Sequence, residues 1–591
     1  MKTSPGPSLT FIRPPLDGSL TYPEIFDYNA QHSPDHPVFQ FYEQDHIQKI
    51  TWSEVTKAIH AAGRVVRDHV TRTDYMDSAP IVGVLANADS ITFLTVVSGI
   101  IRAGYTAFPI STRNSPAAIA HLLGSTRCKY LFVNADSAMQ EIAHLQDGIK
   151  LIPMPTFEDL YLKNDSEPLP YVPDWKQIAL IIHSSGSTRL GPSPIAYSHR
   201  NYMMHGVWLS YGDMDVCGHV LSAHASAMYH LMGCWTFMVA ASDGVTIAVF
   251  PPENPPIVPT PQRVLEGIIA TNCTIVFCVP HFFETWVHDP AAVEVLTKAT
   301  VVLFGGAPLA KAAGDSLVAK GVTLCTLFGS TETTFTAKMI PKETPAEGWE
   351  WFEASVKLSR HRLLLTLLIQ WAHYIDYILL PIEGEENMFY VIIKENPNTG
   401  YSPAVFNTTI DGVRANDTKD IFIRHPTNPE MFKCYGRYGM MNLALQWGKD
   451  EPYANRHVYF SRLRHCADPL AEKTITTDKR IAVAVMFGQL RIQSGVLVSP
   501  APEHEFDPAN EKDLADFRAS IWGTVSKANN EAPQHSRISK EMIIITHPSK
   551  PFTFTPKGTL RRPAILKAYS REIEAAYEAV DKISLYNIPA P

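Results

Sequence analysis

Residues 81–110 read IVGVLANADSITFLTVVSGIIRAGYTAFPI, and their spacing decides the fold class. The apolar run Ile81–Ala86 predicts a strand. Asp89 is placed to cap the helix that follows, in which Ile91, Leu94, Val97 and Ile101 recur at helical spacing until Gly104 closes it. Tyr105–Ile110 predicts the next strand. Ser115-Pro116 then pairs an N-cap with a proline at the first helical position, Gly124 ends that helix, and Lys129–Val133 is a third strand. A β-α-β-α-β succession needs crossover connections, so it predicts a parallel sheet with helices on both faces.

The same grammar returns at Val301–Phe304, the turn Gly305-Gly306-Ala307-Pro308, a helix through Leu317 and Val318 ended by Gly321, and the strand Val322–Leu327. Two α/β lobes are therefore expected before about residue 340. Beyond residue 480 the pattern shifts to Ile481–Phe487, Gly495–Ser499, a helix bearing Leu514, Phe517, Ile521 and Val525, and the strand Met542–Thr546. The expected class is α/β: a large N-terminal domain of α/β lobes with mostly parallel sheets, plus a small C-terminal α+β domain.

Composition narrows the function. The chain has 591 residues, 45% of them hydrophobic, enough for more than one core. Its 51 Lys and Arg against 59 Asp and Glu give a net charge of −8, which offers no general surface for neutralising phosphates and argues against nucleic acid as a partner. The eight cysteines contain no C-x-x-C pair, so neither a zinc site nor a disulfide framework is indicated. Met1-Lys2-Thr3-Ser4-Pro5 leads into no apolar core of a secretory signal, and a cytoplasmic location is the expectation. Leu363–Leu380 is apolar and close to spanning length, but it holds Gln370, His373 and Asp376. A central Asp costs about 2.5–3.5 kcal/mol on insertion scales, so buried or misplaced sequence in a soluble domain is the preferred reading, with no membrane partner. No internal repeat or low-complexity tract is present.

Two stretches carry chemistry. Ala179-Leu180-Ile181-Ile182-His183 is an apolar strand running into Ser184-Ser185-Gly186-Ser187-Thr188, where backbone N–H groups and hydroxyls around a glycine suit a polyphosphate. An ordinary polar loop is the competing reading of that stretch alone. In Leu327-Phe328-Gly329-Ser330-Thr331-Glu332-Thr333, Phe328 presents a ring suited to a nucleobase and Glu332 a hard oxygen ligand for Mg²⁺. A buried phenylalanine beside capping groups is the bland alternative there. Two such strand-end loops can face one crevice.

With Pro194-Ile195, His199-Arg200-Asn201, Phe304–Leu309 and Phe328–Glu332 added, the chain resembles the adenylate-forming (AMP-binding) superfamily of acyl-CoA ligases, aryl-acid ligases and peptide-synthetase adenylation domains. Arg102–Ser111 through Leu122 looks like the fungal synthetase-like enzymes that join adenylation to a carrier and a reductase or thioesterase. The likeness covers most of 20–345, then 390–437 and 469–580. It implies that a carboxylate attacks ATP to give acyl-AMP and pyrophosphate, and that a thiol, from CoA or from a carrier protein's phosphopantetheine in trans, then takes the acyl group.

By that resemblance Ser184, Ser185, Gly186, Ser187 and Thr188 hold phosphates; Gly305, Gly306, Ala307 and Pro308 border the adenine. Phe328 stacks on the adenine, with Gly329, Ser330 and Thr331 beside it, and Glu332 ligates Mg²⁺. Asp420, in Thr418-Lys419-Asp420 where the family has Thr-Gly-Asp, binds ribose, and Arg437 precedes the interdomain hinge. His230 gates the acyl pocket, which Pro280-His281-Phe282-Phe283 also lines, and Lys557 neutralises carboxylate and phosphate. A satisfied core histidine, plain aromatic packing and a solvated loop lysine are the respective alternatives. Catalytic duty is expected of Lys557, Glu332, Thr188 and His230. The implied division is an adenylation domain over 1–437 and a mobile C-terminal subdomain over 438–591, with 438–468 irregular.

The chain departs from the pattern in several places. Its phosphate loop continues Arg189-Leu190-Gly191-Pro192-Ser193-Pro194, one residue longer than usual and with Ser193 at the lysine position. The hinge reads Gly436-Arg437-Tyr438-Gly439-Met440-Met441, lacking the usual acidic pair, and Leu358 to about Glu386 interrupts the match. Neither stretch shows a clean period; mis-joined coding sequence or divergence accounts for both. Lys557 stands two residues earlier than in the common ending, and the chain stops at Pro591, so the accepting thiol is expected from elsewhere. The alternative function is a degenerate, non-catalytic relative that binds nucleotide or a small acid.

Overall fold

The computed structural model describes residues 9–71, 79–114, 116–134, 148–163, 167–184, 192–207, 214–338, 340, 343–353, 375–382, 387–396, 401–437, 469–487, 494–531, 538–554 and 560–586. The 81–110 segment folds as its spacing requires. Strand Ile81–Leu85 leads to helix Ser90–Arg102, capped by the Asp89 carboxylate, which accepts from the Ile91 and Thr92 amides at 2.9 Å each. Strand Thr106–Pro109 then pairs in parallel with Ile81–Leu85. The next helix departs from expectation. It runs Pro116–Thr126, through Gly124, because Arg127 takes the left-handed turn at φ 54° and the Thr126 hydroxyl donates back to the Leu122 carbonyl at 2.8 Å.

These strands belong to a six-stranded sheet in the order Lys150–Pro153, Tyr130–Val133, Ile81–Leu85, Thr106–Pro109, Ile178–His183, Pro194–Ser198, parallel except for the last pair. A seven-stranded sheet runs Leu324–Leu327, Val301–Gly305, Ile275–Cys278, Val220–Ser222, Thr246–Ala248, Pro37–Glu43, His46–Thr51, again parallel except at the final hairpin. Helices Tyr22–His32, Trp52–His69, Ser90–Arg102 and Leu231–Asp243 fill the space between the sheets, where the Phe26, Trp52 and Phe237 rings stack. Along Ile275–Cys278 burial alternates in partner. Ile275 and Phe277 join one core; Val276 and Cys278 join another, beneath the outer helices Pro261–Ala270, Pro280–Trp286, Pro290–Lys298 and Lys311–Ala319.

A third sheet, antiparallel, was not foreshadowed. Phe352–Glu353, Met431–Arg437, Val413–Arg424, Met388–Lys394 and Asp376–Pro381 pair in that order, with Thr408–Ile410 on the Val413–Arg424 strand. The end of the apolar run read as lacking a regular period is thus a strand. Tyr377 and Leu379 pack on one core and Ile378 and Leu380 on others, so no polar alternation marks it. No helix among the described residues is long and apolar enough to cross a membrane.

The C-terminal unit has its own core, from Ile475 to Tyr577. Ile481–Phe487, Ser494–Pro500 and Ile538–Ile545 form its sheet, covered by helices that include Glu511–Glu531 and Ser570–Tyr586. Of the cysteines, Cys128, Cys217, Cys234, Cys278 and Cys325 are buried free thiols, as their apolar settings predict.

Candidate functional site

Gly305 lies opposite Leu327 in the parallel register, so the strands Val301–Gly305 and Leu324–Leu327 end side by side at one carboxyl edge. Open α/β sheets bind ligands at that edge. The turn beyond Gly305 is exposed at Gly306, Ala307 and Pro308, with Gly306 at φ 80°. A Cβ on Gly305 would come within 3.1 Å of the Leu327 carbonyl oxygen, a tight contact that reflects the close approach of the two strand ends.

From Leu327 the chain enters a tight hairpin. Gly329–Ser330 pairs antiparallel with Thr334–Phe335, leaving Thr331, Glu332 and Thr333 as a three-residue tip that ends on Thr334 at φ 69°. A Cβ on Gly329 would lie 2.5 Å from the Thr334 carbonyl oxygen, so only glycine fits there. The Ser330 hydroxyl meets Thr333 Oγ1 at 2.9 Å. The segment leading into strand Thr408–Ile410 of the third sheet grips the tip: the Ala404 and Val405 amides donate to the Glu332 carbonyl at 2.9 and 3.2 Å, and the Tyr401 hydroxyl donates to the Thr333 carbonyl at 2.7 Å. The half-buried Glu332 is thereby held through its main-chain carbonyl. Among the described residues no group of three or more His, Cys, Asp or Glu side chains is arranged to hold a metal ion.

The partly buried Phe328 ring stacks on Phe352 at 5.1 Å and 4°, and meets Phe422 edge-on at 5.0 Å. Two residues before Phe422 lies Asp420, 3% exposed. Asp417 pairs with Ile392 and Ile421 with Tyr390, so Thr418-Lys419-Asp420 forms a bulge opposite Val391. The Thr418 hydroxyl donates to the Val391 carbonyl at 2.9 Å and accepts from the Asp420 amide at 3.0 Å. Lys419, at the family's glycine position, adopts φ 65°, and its ammonium pairs with Asp417. The glycine preference there is a backbone requirement, which this chain meets with a lysine. Asp420 is opposite Arg437 across the ladder, and the Arg437 side chain lies outside the described residues.

The other lobe joins this edge through Tyr197. Its buried hydroxyl donates to the Thr331 carbonyl, binding strand Pro194–Ser198 to the Glu332 hairpin. Burial first, then the Glu332 charge, raises that hydroxyl's pKa well above its usual value, so it remains a donor. Strands Ile178–His183 and Pro194–Ser198 pair antiparallel, and the hydroxyl stretch joins them. The Ser184 amide donates to the Ser193 carbonyl at 2.9 Å, and the Ser193 amide donates to Ser184 Oγ at 3.0 Å. These two bonds close the neck of the loop. Ser185, Gly186, Ser187 and Thr188 lie outside the described residues.

His230 is half-buried at the start of helix Leu231–Asp243, its ring 5.9 Å from His183 and 4.6 Å from Tyr229. Phe282 and Phe283 are buried in the core under the outer helices, and His281 is exposed. Arg102 is structural: it meets Asp27 at 2.7 Å and donates to the Leu169 carbonyl at 2.8 Å. Lys557 falls outside the described residues, between Phe554 and Leu560, which bridge to each other.

Tyr197, Ser193 as a neck residue, and Lys473 carried no expectation. Lys473 reaches from helix Pro469–Ile475 to the Pro308 carbonyl. Only the position of Tyr197 just beyond the Pro194-Ile195 motif hinted at a role; nothing local marks Lys473, because its partners lie 165 and 189 residues away.

Family comparison agrees with this architecture. Residues 26–358 match the AMP-binding enzyme family and residues 467–581 the AMP-binding enzyme C-terminal domain. The chain is 37% identical to adenylate-forming reductase Nps10 of Heterobasidion annosum over 99% of its own length and 52% of the relative's. It is 30% identical to adenylate-forming reductase Nps9 of Serpula lacrymans, over 96% and 50%. It therefore spans about half the length of these relatives. Among solved structures it resembles O-succinylbenzoate coenzyme A synthetase from Bacillus subtilis with ATP and magnesium (TM-score 0.63, 14% identity, 92% of this chain and 98% of that one). It also resembles ATP-bound MatB from Rhodopseudomonas palustris (TM-score 0.64, 14% identity, 94% and 100%). Matched across both units, the chain belongs to the AMP-binding enzyme family.

Proposed function

We propose that this chain activates a small carboxylic acid with ATP. A carboxylate oxygen attacks the α-phosphorus, pyrophosphate leaves, and acyl-AMP forms; a thiol of CoA, or of a carrier protein's phosphopantetheine in trans, then takes the acyl group and releases AMP. The observation that carries this reading is the Tyr197–Thr331 bond, which brings the hydroxyl-loop hairpin of one lobe against the Phe328–Glu332 hairpin of the other. Family membership supplies the nucleotide; the shared strand edge supplies a place for it.

In this reading the Ser184–Thr188 loop binds phosphates, Gly305–Pro308 and Phe328 border the adenine, and Asp420 with Arg437 holds the ribose side. Mg²⁺, when bound, neutralises phosphate charge, and the Glu332 carboxylate is its protein ligand, leaving the remaining positions to phosphate and water. Lys557 and Thr188 serve the charge that develops during transfer, and His230 faces the acid. The relatives' names join adenylate formation to reduction, and a thioester is a form from which an acyl group is reduced or passed on. Acid-dependent ATP–pyrophosphate exchange against aryl, aliphatic and amino acids tests the first step. Exchange with any acid supports it and defines the substrate class.

One observation favours a second reading, a non-catalytic binder of nucleotide or acid. Ser193, at the lysine position, brings no charge, and its two bonds at the loop neck are made by its main chain alone. Removing one preorganised charge or donor from such a site costs about 10²–10³ in rate. Nucleotide binding without exchange would select this reading.

A further inference from the structure

We infer that His183 is a positioning residue that sets the neck of the phosphate loop and ties it to His230; the inference rests on the proposed role of that loop. His183 ends strand Ile178–His183 and is 2% exposed. The Ser111 amide donates to its Nε2 at 3.0 Å, and its Nδ1 lies 2.9 Å from the Ser184 carbonyl oxygen. An amide only donates and a carbonyl only accepts. Nε2 is therefore the bare nitrogen and Nδ1 carries the proton, so the partners select one neutral tautomer.

The chain of contacts runs in both directions from this ring. On one side Ser111 is fixed in a turn, its hydroxyl accepting from the Arg113 amide at 3.2 Å and its carbonyl from the Asn114 amide at 3.2 Å. On the other, Ser184 makes both bonds that close the loop neck with Ser193. His183 thus anchors a loop of hydroxyls to a rigid turn after the neighbouring strand. The same ring meets His230 edge-on at 69°, so a ligand that displaces His230 presses on the group holding the loop. His183 touches no substrate in this arrangement; it acts through Ser184.

The test uses the full chain and MgATP as probe, followed by calorimetry, with exchange kinetics alongside. His183→Asn keeps a donor at the Nδ1 position and so keeps the Ser184 bond. His183→Gln keeps an acceptor at the Nε2 position and so keeps only the Ser111 bond. His183→Leu keeps neither. The expected result is that the Leu variant weakens MgATP binding by about tenfold, raising KM for ATP with a smaller change in kcat, while the Asn and Gln variants, each keeping one half of the link, fall between it and the wild type. A folded Leu variant that binds MgATP like the wild type overturns the inference. If the Leu variant does not fold, wild-type affinity in both the Asn and Gln variants overturns it. Wild-type protein that binds no MgATP overturns the phosphate-loop reading itself, and this inference with it, whereas wild-type binding with insensitive variants overturns this inference alone.

Discussion

The ammonium of Lys473, on the first helix of the C-terminal unit, lies 2.5 Å from the Pro308 carbonyl oxygen and 3.7 Å from Glu284 Oε1. Glu284 also accepts from the Ala310 amide at 3.0 Å, so one carboxylate and one lysine bracket the exposed end of the Gly305–Pro308 turn. Burial holds the Lys473 pKa below its usual value, opposed by Glu284. Lys473→Ala removes a charged hydrogen bond that is partly open to solvent, a change of about 1 kcal/mol. The expected outcome is a rise of roughly fivefold in KM for ATP, with Lys473→Arg milder, measured by pyrophosphate exchange.

Glu332→Ala should abolish Mg²⁺-dependent adenylation while the hairpin persists, since its holding bonds are made by the main chain. A fall of at least about 10²-fold in exchange, with an unchanged thermal midpoint, is expected. Unchanged activity would remove Glu332 from the metal site.

Gly329→Ala tests the hairpin itself. The added methyl meets the Thr334 backbone at 2.5 Å, which no side-chain rotation relieves. Overpacking of this kind costs about 1–3 kcal/mol, read as a lower urea midpoint together with lost exchange.

Acid stability of the C-terminal unit should depend on Asp478. Hydrogen bonding from Arg480 holds its carboxyl down to about 2 from an ordinary 3.8, aided by Thr524. The folded value is the lower one, so this contribution is fully present above pH 3.8 and is lost as pH falls toward 2. Asp478→Asn should remove about 1–2 kcal/mol at neutral pH and flatten the acid unfolding curve in that window.

Lys557→Ala should slow acyl-AMP formation more than it weakens ATP binding, the split being read from single-turnover rates against calorimetric affinity. A wild-type rate would return this lysine to the solvent.

Much of the molecule was legible in the chain because its signals are local. Asp89 ahead of a helical period, Gly104 at φ 87° and Gly321 at φ 90° each act within a few residues, and the parallel lobes followed from them. The hydroxyl loop and the Phe328–Glu332 segment were recognisable as strand-end loops for the same reason. Gly124 misled, because a helix tolerates a glycine when the next turn supplies the stop.

What the amino-acid order by itself determined is the inventory: apolar periods that set the strands and helices, and motifs that bear phosphate-binding hydroxyls and a carboxylate. Which of these groups meet was decided only by tertiary structure. Tyr197 reaches Thr331 across 134 residues, and Lys473 reaches Pro308 across 165. The antiparallel third sheet, covered on both faces, erased the polar alternation that would have announced it. Pairings at such distance leave no periodic trace, because each partner satisfies only a local rule until packing brings the two together.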